Sequence, residues 1–437
     1  MGRAPMSSTV GHAANPRLVA SARYVGGSRY VHIALYATVV TFYAASVYRY
    51  DIAQVLTAVK WIPLIALFLF SLQVAARRGL IANIGFGWIF AFMVPILTGI
   101  IVSSDIGRSL AFALGLLLVI LTSSMVAILS KDDVGAGPLF EAYANIGRLF
   151  IALSAVTYVL NMNLGRGGVE ARFSGWTDNP NTLALLISPC IVVLIARCIE
   201  RRRGWLWKDA TCLAAGLVLL LATGSRASFL WVVASVGFLL FGRKLSPVTL
   251  VFALCSIALV FLFKQQIELT VSIILNREAS LESADVLSGR TEIWDLAYSL
   301  YQERPVLGYG LGMEEVLVRE NSWKAAIFQG GHFHNSFISL LIEVGLFGIV
   351  VICGILLHLL VSGYGALQKK HNITLRKSVQ EALPLAIVVG ALSHAAFETW
   401  LFSPGNPQVL LFWICMWSFA VRGGRIKNPN PSMRAFR

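Results

Sequence analysis

Gly331-His332-Phe333-His334-Asn335 closes the longest polar segment of the chain, and Ser336-Phe337-Ile338-Ser339-Leu340-Leu341-Ile342 opens an apolar run that continues to Leu360. That run decides the fold class. About 25 residues with few charges, wound as a helix, are long enough to cross the roughly 30 Å hydrocarbon layer. Working outward, similar runs recur at approximately 30–48, 55–75, 81–102, 108–129, 139–160, 182–199, 206–223, 227–242, 247–263, 383–403 and 407–421. The expectation is an all-α, polytopic integral membrane protein with about twelve transmembrane helices and one large outer-face loop containing short amphipathic helices. The predicted organisation is a tail at 1–29, helices 1–9 over 30–263, the large loop at 264–334, helices 10–12 over 335–421, and a second tail at 422–437.

Composition agrees. Hydrophobic residues make up 57% of the 437 and charged residues only 13%, with a mean hydropathy of +0.72, whereas soluble chains carry about 25% charged residues. The net charge of +14 reports orientation before it reports a partner. The larger share of Lys and Arg falls in the tails and alternate connectors, which predicts both termini in the cytoplasm. No zinc-type spacing or basic–aromatic stripe supports a nucleic-acid partner. The six cysteines (Cys190, Cys198, Cys212, Cys255, Cys353 and Cys415) lie in or beside apolar runs. They read as small apolar residues rather than a disulfide framework.

The informative residues break the orientation rule. Arg172, Arg226 and Arg290 stand on the outer face, where positive charge is disfavoured. Arg172 precedes the chain-breaking Asn179-Pro180-Asn181, and Arg226 lies in the tight turn Thr223-Gly224-Ser225-Arg226. Arg290 opens a segment with Ile293, Trp294, Ala297, Leu300 and Tyr301 at helical spacing, expected to lie on the membrane interface. Three guanidiniums at one depth suit a pyrophosphate. Arg277, Arg304 and Arg319 read instead as partners of loop acids.

His334 beside Asn335 is the candidate general base, because imidazole accepts a proton near neutral pH. The bland alternative is a helix cap. His332 reads as a loop anchor, and Asn335, Glu343 and Arg148 are candidates for supporting roles. Ionisable groups within apolar helices are costly and tend to be paired or functional. His394 and Glu398, four apart, read as a structural pair. Gly308, Gly310 and Gly312 have no βαβ context and make a turn rather than a nucleotide loop. His332 and His334 lack a third metal ligand, so no metal and no cofactor are expected.

In this order and on one face, these segments resemble the O-antigen ligase / O-antigen polymerase superfamily of bacterial membrane glycosyltransferases. The carriers are Arg172-Phe173-Ser174-Gly175 with Asn179-Pro180-Asn181, then Gly224-Ser225-Arg226, and Ser288-Gly289-Arg290 with Trp294. Pro305-Val306-Leu307-Gly308-Tyr309-Gly310 and His334-Asn335 follow, with Gly345 eleven residues beyond the histidine. The resemblance implies a multi-pass protein of the inner membrane with a periplasmic active site, most like a lipopolysaccharide O-antigen ligase. It further implies an undecaprenyl-pyrophosphate-linked O-antigen as donor and a lipid A–core sugar as acceptor, joined with inversion and without metal. His334 would match the family's essential histidine, Arg226 and Arg290 its pyrophosphate ligands, and Arg172 more loosely a third. A repeat-unit polymerase shares donor and base and differs in acceptor. A lipid-glycan transporter or flippase is the alternative of another class, and it would predict two repeated halves that the chain does not display.

Overall fold

The computed structural model describes residues 16–46, 50–132, 137–162, 172–200, 206–242, 290–321, 331–368 and 375–420. Among the described residues the fold is all-α with no sheet. In chain order the helices are α1 Pro16–Ala44, α2 Tyr50–Val59, α3 Trp61–Arg77, α4 Phe86–Ile101, α5 Ile106–Asp132, α6 Gly137–Val159, α7 Pro180–Ile199, α8 Leu206–Thr223 and α9 Arg226–Phe241. They continue as α10 Arg290–Glu303, α11 Glu314–Glu320, α12 Ser336–Gln368, α13 Leu375–Ala395 and α14 Val409–Ala420.

The expected count of about twelve spans is corrected. Among the described residues five helices are long and apolar enough to cross a membrane: Val55–Arg77, Ile106–Ser130, Gly137–Val159, Pro180–Ile199 and Ser336–Gln368. Phe86–Ile101, Arg226–Phe241, Val379–Ala395 and Val409–Ala420 are apolar but shorter. Sixteen residues, as in α4 and α9, rise only about 24 Å. The run at 247–263 lies outside the described residues. Hydropathy overcounted because it registers burial of any kind. The expected span 383–403 leaves the helix at Ala395, yet Trp400 and Leu401 beyond it are at most 1% exposed. Their apolar surface is covered by protein, not lipid.

Packing brings one set of helix ends together. α13 lies along α9, α7 lies between α8 and α9, α14 packs on α5, and α12 packs on α4. Small residues allow close approach: a Cβ on Gly390 would meet Trp231 and Ser235 of α9. Trp231 and Trp400 stack with centroids 5.4 Å apart at this junction. Outward positions such as Ile62, Phe90, Leu114 and Val350 are apolar and more than half exposed, as a lipid-facing surface requires.

The segment between α10 and α12 is built into the bundle. The helix at α10 is as expected, but its apolar face does not lie on a membrane interface. Ile293, Leu296, Ala297 and Leu300 cluster with Met313, Leu317, Phe333 and Ile342. Arg304 likewise departs from its expected acid partner. It donates to the Val102 carbonyl at 2.8 Å and lies over the Tyr309 ring.

α12 breaks at Gly345, where φ is +64° and ψ −174°. The break exposes backbone groups inside the protein, and Pro305–Gly310 satisfies them. Leu346 N–H donates to the Pro305 carbonyl and Phe347 N–H to that of Val306, while Tyr309 and Gly310 N–H donate to the carbonyls of Ile342 and Glu343. The glycine-rich turn is thereby locked into the interrupted helix.

Candidate active site

The loop entering α12 is held from three sides. Phe333 is fully buried, its carbonyl accepts from Trp294 Nε1 at 2.8 Å, and its N–H donates to Glu314 Oε1 at 2.6 Å. Asn335 Oδ1 accepts from the N–H groups of Phe337 and Ile338, and its own N–H donates to Thr399 Oγ1. Asn335 is therefore the N-cap of α12. Ser336 Oγ donates to the Glu398 carbonyl and accepts from the N–H groups of Trp400 and Leu401. These bonds fix His334 with φ at +52°.

His334 Nδ1 lies 3.2 Å from Glu398 Oε2, with side chains 29% and 16% exposed. Glu398 Oε1 accepts from Asn181 Nδ2 at 3.0 Å, and Asn181 Oδ1 accepts from Arg172 Nη2 at 2.9 Å. Arg172 Nε donates to the Thr223 carbonyl at 2.7 Å. The chain thus runs from the end of α8 through the start of α7 and the turn after α13 to the mouth of α12. A carboxylate only accepts, so it selects the His334 tautomer that carries its proton on Nδ1. Nε2 then keeps its lone pair, and no described residue bonds to it. An imidazole held in this way can accept a proton at Nε2.

A second carboxylate organises the loop from behind. Glu314 is 6% exposed. Its Oε1 accepts from Phe333 N–H, Ser339 Oγ and Thr399 Oγ1, and its Oε2 faces His332 Nδ1 at 3.3 Å. Burial alone would lower the pKa of His332, but the bond and charge of Glu314, aided by Glu315 and Glu398, hold it above the ordinary value. Arg108 bonds Glu315 and pulls that carboxyl below its usual range. Glu343 Oε1 accepts from the N–H groups of Gly312 and Glu314, tying the floor of the site to the break in α12.

The remaining candidates are placed as follows. Arg172 joins the His334 network directly. Arg226 is the exposed first residue of α9, two residues after Gly224, where an added Cβ would come within 3.1 Å of Arg172 Nε. Arg290 is the first residue of α10, one turn before Trp294. Arg148 is not brought here. It bonds Asp209 Oδ1, whose other oxygen accepts from Arg197 Nε at 2.9 Å, about 24 Å along α7 from Asn181.

His394 is 1% exposed, accepts from Trp400 Nε1 at Nδ1, and lies 3.1 Å from Ser228 Oγ at Nε2. α13 ends at Ala395, and Glu398, in the turn that follows, reaches His334. Glu314, Asn181, Ser339 and Thr399 were not anticipated. Among them Asn181 had a signal in Asn179-Pro180-Asn181, since Asn179 caps α7 by accepting from Thr182 N–H, leaving Asn181 in its first turn at the site.

No curated protein matches the chain. Residues 211–353, which include α9, α10, α11, the His334 loop and the break in α12, match the family model described as O-antigen ligase.

Proposed function

We propose that this protein is a glycosyltransferase that moves an O-antigen glycan en bloc from undecaprenyl pyrophosphate to a sugar hydroxyl of the lipid A–core. The reaction is placed on the periplasmic side of the inner membrane, with both termini cytoplasmic. The observation that carries the reading is the contact of His334 Nδ1, in the segment that matches the family model, with Glu398, which leaves Nε2 to take a proton. In this reading His334 Nε2 removes the acceptor proton as the oxygen attacks the anomeric carbon. The carbon–oxygen bond to pyrophosphate breaks from the opposite face, giving inversion. Arg226 and Arg290 meet the charge that gathers on the phosphates, an interaction stronger in the transition state than in the ground state. Arg172, engaged with Thr223 and Asn181, holds Asn181 and through it Glu398.

The test is the purified protein given a lipid-pyrophosphate-linked glycan and a rough lipopolysaccharide lacking O-antigen. A mass increase of the acceptor by whole glycan chains without added nucleotide supports the ligase. Lengthening of the donor without acceptor would replace it with a polymerase, and an unchanged donor and acceptor would reject both. Glu398→Gln removes the charge and permits the wrong imidazole tautomer, so kcat is expected to fall by about 10²- to 10⁴-fold with little change in donor KM. An equal rise in KM at constant kcat would remove Glu398 from this role.

A further inference from the structure

We propose that His332 is a second proton-bearing catalytic group of this site, donating from Nε2 to the phosphate oxygen that leaves the anomeric carbon. The inference rests on the transfer reaction proposed above. Its geometric basis is the alternation of the loop. Phe333 points into the protein and is fully buried, whereas the histidines on either side are 48% and 29% exposed. Two residues apart, their Cα atoms are separated by at most about 7 Å. That is short enough for two imidazoles to bracket one reacting carbon and its leaving oxygen.

The two histidines have parallel settings. Each presents Nδ1 to a carboxylate, His334 to Glu398 and His332 to Glu314, and neither Nε2 has a partner among the described residues. The carboxylate of His334 is shared with Asn181. His332 faces Glu314 at 3.3 Å, Glu315 beside it on α11, and Glu398 from the turn after α13. Arg108 from α5 and Arg319 from α11 act on Glu315 in the other direction. The balance keeps His332 above its ordinary pKa, which suits a donor as an unprotonated Nε2 suits a base.

The step balances. The acceptor O–H proton goes to His334 Nε2, and the acceptor oxygen forms the new bond to the anomeric carbon. The bond from that carbon to the pyrophosphate oxygen breaks with its electron pair on oxygen. His332 Nε2 gives that oxygen its proton, and both rings then re-equilibrate with solvent. No oxidant, metal or further reactant enters.

The experiment measures log kcat/KM for the full-length protein in lipid nanodiscs between about pH 5 and 9, using a polyprenyl-pyrophosphate-linked oligosaccharide and rough lipopolysaccharide. Wild type is expected to give a bell whose falling limb follows the deprotonation of His332. His332→Gln should lose the falling limb, keep the rising one, and run about 10- to 100-fold slower at the optimum. Glu314→Gln, which leaves the imidazole in place but weakens its hold on the proton, should move the falling limb to lower pH. It serves as the second variant if His332→Gln does not fold. A falling limb that stays in place in either variant, with only the amplitude reduced, would make His332 a structural anchor and overturn the proposal. Wild type that transfers nothing at any pH would overturn the transfer reading itself, which separates the two failures.

Discussion

A His334→Ala protein is expected to insert and fold with near-normal yield and to transfer no measurable glycan, a loss of at least about 10³-fold. The side chain is 29% exposed and its hydrogen bond among the described residues goes to Glu398, so its removal leaves a space open to solvent rather than a closed core cavity. The backbone needs more care, because φ at this position is +52°, a region that histidine enters more readily than alanine. Asparagine enters the left-handed region more readily. It also keeps a polar group facing Glu398, but has no group that titrates near neutrality. His334→Asn is therefore the sharper variant. Thermal unfolding in detergent should match wild type while turnover stays at background. Turnover within a few-fold of wild type in the asparagine variant would show that the imidazole is not the base.

The second large effect is structural. Gly345→Ala is expected to destabilise the protein by about 3 kcal/mol or more and to abolish transfer with it. The dihedrals at Gly345 belong to a region open essentially to glycine alone. An added methyl would also overlap the Val306 carbonyl and come within 2.6 Å of Leu307 N. Relief requires Pro305–Gly310 to leave the break in α12, which frees the carbonyls of Ile342 and Glu343 and the N–H groups of Leu346 and Phe347. Glu343 would shift with them and release its grip on Gly312 and Glu314, loosening the carboxylate behind the His334 loop. Gly354→Ala, in the same helix with open space at its Cβ, is the control. It should be neutral or slightly stabilising, since alanine is the better helix former by about 1 kcal/mol. Equal unfolding temperatures for the two variants would remove the argument for the break.

The contrast between these glycines marks how far local pattern carries. Gly345 and Gly354 both stand in one apolar run, and hydropathy treats them alike. Only the chain threaded through the break distinguishes them. Arg148 and Arg172 show the same limit for charge. Both are arginines set against apolar helices, but one closes an ion cluster with Asp209 and Arg197 and the other reaches the His334 network.

The amino-acid order alone determined the all-helical class, the membrane setting, the amphipathic helix from Arg290 and the candidacy of His334, because each rests on local periodicity or an unusual residue in an apolar context. The superfamily resemblance was likewise legible in the order of short motifs. Tertiary structure decided how many apolar runs are spans, since burial against protein and burial in lipid have the same hydropathy. It also decided the partner of Glu398. α13 stops at Ala395, and the turn beyond it carries the carboxylate to the imidazole 64 residues earlier. Hydrogen bonds between residues so far apart leave no spacing to read.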